Sequence, residues 1–375
     1  NEQSSCNGVN PIYLDSNGIT IKACEDANVG DTGEVNGITY TVVDEATLRT
    51  MVANEEDVTK VVTTKVTDMN LMFFLGYDSN DEPIYNDFNQ DISAWDVSNV
   101  TDINGMFGYN EAFNQPIGDW DVSNVTNMRV MFSFATSFNQ PIGDWDVSNV
   151  TNMNRMFRYA EAFDHPIGNW DVSNVTNMSL MFYGATVFNQ PIGNWDVSNV
   201  TNMYGMFKYT DAFNQDIVSW DVRNVTNMRV MFAFATSFNQ PLGNWDVSNV
   251  TTMNGMFRYA EAFDQPIGNW NVSNVTDMMD MFYSASAFNQ PIGNWDVSNV
   301  TDMWVMFESA TVFNQDIGNW DVSNVTDMSY MFWNSSTFNQ DLSSWGVDGV
   351  TYCSGFSQGA PLTEENTPNF TNCTP

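Results

Sequence analysis

Apolar residues recur along this chain at a fixed interval. Eleven tryptophans stand at 95, 120, 145, 170, 195, 220, 245, 270, 295, 320 and 345, spaced 25 residues apart without insertion or deletion. The unit around each reads F-N-Q-P-I-G-N-W-D-V-S-N-V-T-N-M-x-x-M-F-x-x-A-x-x. Within it Trp145-Asp146-Val147 alternates with period two, which predicts a strand with Trp145 and Val147 inside and Asp146 and Ser148 outside. From Val150 through Met153, Met156 and Phe157 the spacing changes to i, i+3, i+4, which predicts a short helix. Thr151 is its expected N-cap, and the next position holds Asn or Asp (Asn152, Asp102, Asp277, Asp302), as a helix start favours. The methionine and phenylalanine columns, Met128, Met131, Phe132, Phe138 and their equivalents, read as core. Self-similarity at this period points to a solenoid, since 25 residues are too few for a four-stranded propeller blade.

A second period lies over the first. Met128–Gln140 nearly repeats at Met228–Gln240, and MNRMFRYAEAFDHP from Met153 returns as MNGMFRYAEAFDQP from Met253. Four coils therefore read as duplicated in a block of 100 residues.

The motifs W-D-V-S-N-V-T-N-M, M-F and F-N-Q-P/D-I resemble the 25-residue leucine-rich repeats of the BspA-like bacterial surface protein family. Tyr40-Thr-Val-Val-Asp-Glu-Ala-Thr-Leu and Val66-Thr-Asp-Met resemble its lead-in segment. The resemblance implies an α/β solenoid of right-handed coils, with a parallel β-sheet on the concave side and short helical turns on the convex side. It implies a secreted or cell-surface protein used for adhesion or partner binding, and no enzymatic residues. It also implies that Asn99, Asn124, Asn149, Asn174, Asn199, Asn224, Asn249, Asn274, Asn299 and Asn324 form a buried structural ladder between coils. These asparagines sit in formal N-glycosylation sequons, which burial and crowding at about 4.8 Å coil spacing argue against using.

The expected organisation is an N-terminal region and cap over 1–57, a repeat solenoid of about eleven coils over 58–350, and a C-terminal cap or tail over 351–375. The first coil is irregular, with an insertion near 78–86. Asp78, Asn80, Glu82 and Asp87 place oxygen ligands in that short loop, as calcium prefers, but the spacing does not complete an EF-hand. A solvated loop is the simpler reading, so no cofactor is expected and calcium stays as the alternative. Asp15-Ser-Asn17-Gly18 reads as a hairpin turn. Cys6, Cys24, Cys353 and Cys373 lie outside the repeats, two near each end, and read as disulfides stapling the caps of a solenoid. Metal binding is the rival reading, weakened by there being one histidine, His165. No leader segment is evident, so the chain is expected to begin at a processed or trimmed terminus.

Charge changes the picture of the surface. Asp and Glu number 46 against 11 Lys and Arg, a net charge of -35, yet 43% of residues are hydrophobic and 14% aromatic. An acidic disordered tail would lack those aromatics. Nucleic acid is excluded as a partner by the want of a basic stripe, and no apolar run is long enough to span a membrane. Nine of the acids form one column after the tryptophans: Asp96, Asp121, Asp146, Asp171, Asp196, Asp221, Asp246, Asp296 and Asp321, interrupted at Asn271 and Gly346. Stacked carboxylates repel. Local backbone hydrogen bonds, bridging cations or a ligand on the concave sheet would each offset this, and the last makes the column a candidate binding site.

Tyr109, Phe134, Tyr159, Tyr209, Phe234 and Tyr259 form an aromatic column, read either as packing or as a binding stripe. Arg129, Arg155, Arg158, Lys208, Arg229 and Arg258 lie nearby, Arg223 takes a Ser site, and no cation follows Arg258. His165 takes a slot that is usually Gln, and no nucleophile or phosphate motif is present. The expected function is thus non-enzymatic binding of a protein or glycan on a surface. A filament or stalk subunit with self-association is the alternative. A calcium-dependent or ice- and crystal-binding adhesin ranks lower, because the threonines are taken as helix caps.

Overall fold

In the computed structural model, which describes residues 10–375, the regular strands and the α-helix are confined to the N-terminal stretch of the described residues. Strands β1 (Ile12–Leu14) and β2 (Ile21–Ala23) form an antiparallel hairpin. Its connection holds the expected Asn17-Gly18 turn: Gly18 has φ 74°, and Asn17 Oδ1 accepts the amides of Ile19 and Thr20. Strands β3 (Thr32–Val35), β4 (Ile38–Val42) and β5 (Val61–Val62) make a second sheet, antiparallel between β3 and β4 and parallel between β4 and β5. Helix α1 (Glu45–Ala53) starts at Asp44, whose carboxylate accepts the Thr47 amide, the usual way a helix start satisfies an orphan donor. Ile12, Ile21, Ala23, Tyr40, Val42 and Val62 close a small core between the sheets.

The chain divides into two compact units, the first ending at Val175 and the second spanning Thr176–Pro375. In both, the repeats contain neither the strand nor the helix that their spacing predicts. Around Trp145 the backbone is a pair of turns, closed by Trp145 N–H to Ile142 C=O at 3.3 Å and Val150 N–H to Val147 C=O at 2.9 Å. The predicted burial is nonetheless correct: Trp145 and Val147 are 4% and 1% exposed, and Asp146 points out. Parallel β-bridges do run from coil to coil, but through the position after the threonine. They join Asp68, Asp102, Asn127 and Asn152 in the first unit, and Asn177, Asn202, Asn227, Thr252, Asp277, Asp302, Asp327 and Tyr352 in the second.

The predicted helix fails for an identifiable reason. An α-helix keeps its amides within itself; here every second amide is exported. Met128, Val130, Phe132 and Phe134 donate to the carbonyls of Asn152, Asn154, Met156 and Arg158 in the next coil, at 2.7–3.1 Å. The intervening Met131, Ser133 and Ala135 donate three residues back, to Met128, Val130 and Phe132, at 3.0–3.3 Å. The result is a chain of turns in which two residues per coil are left-handed, at 105, 130, 155 and at 109, 134, 159 in the first unit. Thr151 is accordingly no helix cap: its amide and hydroxyl both donate to the Thr126 carbonyl, at 2.9 and 3.3 Å.

The core is built of stacked identical side chains. Phe107, Phe132 and Phe157 stack at 5.7 and 5.6 Å between ring centroids in the first unit. In the second unit Trp195, Trp220 and Trp245 repeat at 6.4 Å with planes within 3°. Each indole N–H also reaches back into the preceding coil. Trp145 donates to Ile117 C=O at 3.1 Å, Trp170 to Ile142 C=O at 3.0 Å, and Trp270 to Leu242 C=O at 2.9 Å. This explains tryptophan where phenylalanine would fill similar space, since a buried carbonyl needs a donor. The glycine before it answers a second constraint. A Cβ on Gly143 or Gly268 would meet the carbonyl oxygen of Pro166 or Pro291 in the next coil.

At the C-terminus Cys353 and Cys373 form a disulfide, and Phe370 packs edge-on against Phe356 at 5.0 Å. The expected Cys6–Cys24 pair includes a residue outside the described ones.

Removing an indole donor isolates its contribution. Trp145→Phe keeps an aromatic ring but leaves the Ile117 carbonyl without its partner. It should lower unfolding stability by about 1–3 kcal/mol in urea titration, whereas the exposed Asp146→Asn should change it by less than about 0.5 kcal/mol.

Candidate functional site: polar and aromatic rows on the repeats

The stacking of coils turns each surface position into a row, and the acidic column is the first. Every one of these aspartates in the described turns caps its own turn. Asp121, Asp146, Asp246, Asp296 and Asp321 accept the amide of the Ser two residues on at 3.0–3.1 Å. Serine hydroxyls add a second bond at 2.6 Å to Asp121, Asp246 and Asp296. Asp171 and Asp196 accept Ser173 and Ser198 in the same way, and Asp221 accepts both amide and guanidinium of Arg223. These bonds hold the Asp171, Asp246, Asp296 and Asp321 carboxyls below their ordinary range, through the serine hydroxyl first and its amide second. Asn271 makes the same turn, with Ser273 N–H at 3.2 Å and Oγ at 2.7 Å. Local hydrogen bonding is therefore present at each step of the column. Asp96 differs in being buried, its carboxylate taking the Thr64 hydroxyl at 2.6 Å where the N-terminal region meets the first coil.

The asparagine ladder exists, but it is not buried. Asn124, Asn149 and Asn174 are exposed, and their Nδ2 atoms donate to the carbonyls of Ser98, Ser123 and Ser148 at 2.7–2.8 Å. Asn99 donates likewise to Thr64, and Asn224, Asn249, Asn274, Asn299 and Asn324 continue the pattern in the second unit. Asn199, the remaining predicted member, is exposed as well. The reason is the turn at V-S-N-V, which sends the amide along the surface rather than into the core. Two residues on, the threonines are exposed too, each hydroxyl on the preceding threonine carbonyl, as Thr226 on Thr201 at 3.3 Å and Thr301 on Thr276 at 3.1 Å. Asn-x-Thr thus presents two polar rows whose side chains repeat the same hydrogen bonds from coil to coil.

The bridged row was read from sequence only as helix starts. In the second unit it brings Asp277, Asp302 and Asp327 side by side. Burial raises Asp277 and Asp302 above the ordinary carboxyl range, with neighbouring carboxylates adding to the rise at Asp302. Their oxygens cap the amides of Met279 and Trp304 at 3.0 and 2.9 Å. Asp280 also rises, since its burial outweighs its ion pair with Arg258 at 2.8 Å.

The loop at 78–86 uses its oxygens internally. Asp78 Oδ1 accepts the amides of Asn80 and Glu82 at 2.8 and 3.0 Å, which lowers the Asp78 carboxyl. Asp87 instead lines a separate cavity with Glu55, Glu56 and Phe88. Among the described residues no group of three or more His, Cys, Asp or Glu is arranged to hold a metal ion. His165 places a ring nitrogen 3.1 Å from the Asn139 carbonyl, as Gln140 and Gln115 do with Asn114 and Asn89.

The aromatic column packs face to face: Tyr109 on Phe134 at 4.9 Å and Phe134 on Tyr159 at 4.7 Å. Cations lie over it, Arg158 at 4.9 Å from the Phe134 centroid, and in the second unit Lys208 at 5.2 Å from Tyr209. What the sequence concealed is the left-handed backbone at 155 and 159, which sets where these side chains leave the coil.

Two classes of carboxyl should appear when the chain is titrated by site-resolved carbon-13 NMR. Asp246, Asp296 and Asp321 should titrate below about 3.9, the unfolded value. Their contribution to stability is in place above that value and is lost as pH falls through the lower folded one. Asp277 and Asp302 should titrate above it, contributing stability at low pH that is lost as pH rises through their folded values. A single common midpoint would contradict the geometry.

Comparison with known proteins places the chain without naming a partner. No curated protein matches it, and no solved structure does. No helix among the described residues is long and apolar enough to cross a membrane. Segments 42–167, 77–191, 160–268 and 260–370 each match one family, so that the matches tile the repeats end to end; the chain belongs to the family described as Mycoplasma protein of unknown function, DUF285.

Proposed function

We propose that this chain is a non-enzymatic, secreted or cell-surface repeat protein of the BspA-like leucine-rich type, a solenoid that binds a protein or glycan partner across its repeated surface. One observation carries the reading. The Asn and Thr rows and the Asp turns repeat the same side-chain hydrogen bonds coil after coil, so an extended partner meets a surface whose polar groups are already tethered. The Cys353–Cys373 disulfide supports an oxidising compartment. Packing of Phe370 on Phe356 closes the last coil, which favours a capped binder over a subunit stacking end to end.

Purified chain, presented to a panel of immobilised extracellular-matrix proteins and glycans, should bind a subset saturably and remain bound after washing. Failure to retain any member of that panel would remove the binding reading, and filaments in electron micrographs would favour the stalk.

A second reading gains from the threonines. With Thr226, Thr251, Thr276 and Thr301 exposed rather than capping helices, a regular outward row is available within the second unit to match a crystalline surface. Such a chain should reshape or arrest growing ice or bind a crystalline polysaccharide, and replacing Thr226, Thr251 and Thr276 by Lys should abolish it. No thermal hysteresis and no retention on crystalline polysaccharide would dismiss this reading.

A further inference from the structure

The chain is strongly anionic, yet its first unit gathers three arginines on one cavity. Arg129, Arg155 and Arg158 line a space of about 210 Å³ together with Phe74, Tyr77 and Tyr109, and no Asp or Glu contributes to that lining. We propose that this cavity binds an acidic sugar of the sialic-acid type, one pyranose ring bearing a carboxylate at the end of a glycan. The proposal rests on the surface-binding reading above and names its ligand class.

Charge and size come first. Guanidinium groups offer planar paired donors that match a carboxylate. Three of them on one cavity make a local positive field in a chain of net charge -35. The space is smaller than the sites that enclose drug-sized ligands, about 300–1,000 Å³, and suits one ring. The walls supply the rest. Phe74, Tyr77 and Tyr109 line the cavity beside the cations, so aromatic carbon is present to meet the C–H groups of a sugar. Arg158 lies over Phe134 and Tyr159, at 4.9 and 5.3 Å from their ring centroids. Tyr77 is 61% exposed at the rim, where a second sugar would rest.

An acidic peptide fits less well. Peptides that add to a backbone need free amides. Those around the cavity are used between coils: Leu71 on Asn104, Gly105 on Arg129, Tyr109 on Ser133 and Val130 on Asn154, at 2.7–2.9 Å.

The backbone at Arg155 sets where its side chain leaves the coil. Its φ is 58°, a left-handed conformation that glycine adopts without strain and arginine does not. The same position in the duplicated block is Gly255, with φ 62°. The block copy therefore shows that the coil folds with glycine there, where the first unit carries an arginine. Val130, Leu180, Val230 and Val305 are left-handed in the same column, so the conformation belongs to the coil and what sets Arg155 apart is its charge.

The full chain should be titrated with sialyllactose, and with lactose as the neutral probe, by calorimetry or ligand-observed NMR. Sialyllactose should bind, lactose at least about tenfold more weakly, the difference one charge-assisted hydrogen bond makes. Arg155→Gly should raise the melting temperature while weakening sialyllactose about tenfold, and Arg158→Gln should weaken it similarly. Arg258→Gln should leave it unchanged. Equal affinity for lactose, no binding by the unmodified chain, or full affinity in Arg155→Gly would overturn the proposal. Adhesion to the matrix and glycan panel is scored in parallel. Adhesion that neither sialyllactose nor Arg155→Gly affects removes this site and leaves the surface-binding reading. Saccharide binding by a chain that adheres to nothing on the panel removes the extended repeated surface as the binding face and keeps the site.

Discussion

Everything in the repeats depends on where each amide sends its hydrogen. Met128, Val130, Phe132 and Phe134 give theirs to the next coil, while the residues between them close turns three residues back. A buried amide left unpaired costs about 1–3 kcal/mol, so each coil is incomplete until its neighbour supplies the carbonyls. That requirement fixes the 25-residue interval, because a single insertion within the exporting segment would put every later donor out of register. The insertion that the chain does carry, near 78–86, avoids this segment. It folds back on itself, with Tyr77 bridged to Pro83 and Asp78 capping its own turn.

The same requirement explains which features were legible in the sequence. Burial was, since Trp145, Val147, Met153, Met156 and Phe157 are all inside as their spacing demands. Local structure was not, because a chain of turns with bonds three residues back repeats its apolar positions at i, i+3 and so imitates a helix. The contrary signal was present as Gly105, Gly205, Gly255 and Gly355, which share one left-handed column. Val130, Leu180, Val230 and Val305 occupy the same column and hide it, since branched residues seldom adopt that conformation. The strand at Trp-Asp-Val failed for a related reason: Asp146 captures the Ser148 amide that a strand would have offered to a neighbour.

The candidate site shows a similar division. Its residue types were visible, and their setting was not. A column of carboxylates looked in need of a counter-ion until each was seen to accept hydrogen bonds in its own turn, with Asn271 making the same turn without the charge. The asparagines joined coils as the resemblance implied, yet on the surface, where they align with the threonines. Arginines 129, 155 and 158 are 29 positions apart from first to last, and only the stacking of their coils puts them on one cavity.

Stability and binding are therefore carried by different rows. The buried Phe, Met and Trp columns and the exported amides barely vary from coil to coil, and they hold the stack whatever lies outside. That leaves the surface rows free to depart from what folding prefers. Burial raises Asp277 and Asp302, and Asp280 is buried against Arg258 in a left-handed conformation. Arg155 stands where its own duplicate has glycine. Left-handed backbone is common to that column, as at Val130, Leu180 and Val305, so what distinguishes Arg155 is its charge, and the cavity it lines is where that charge can act.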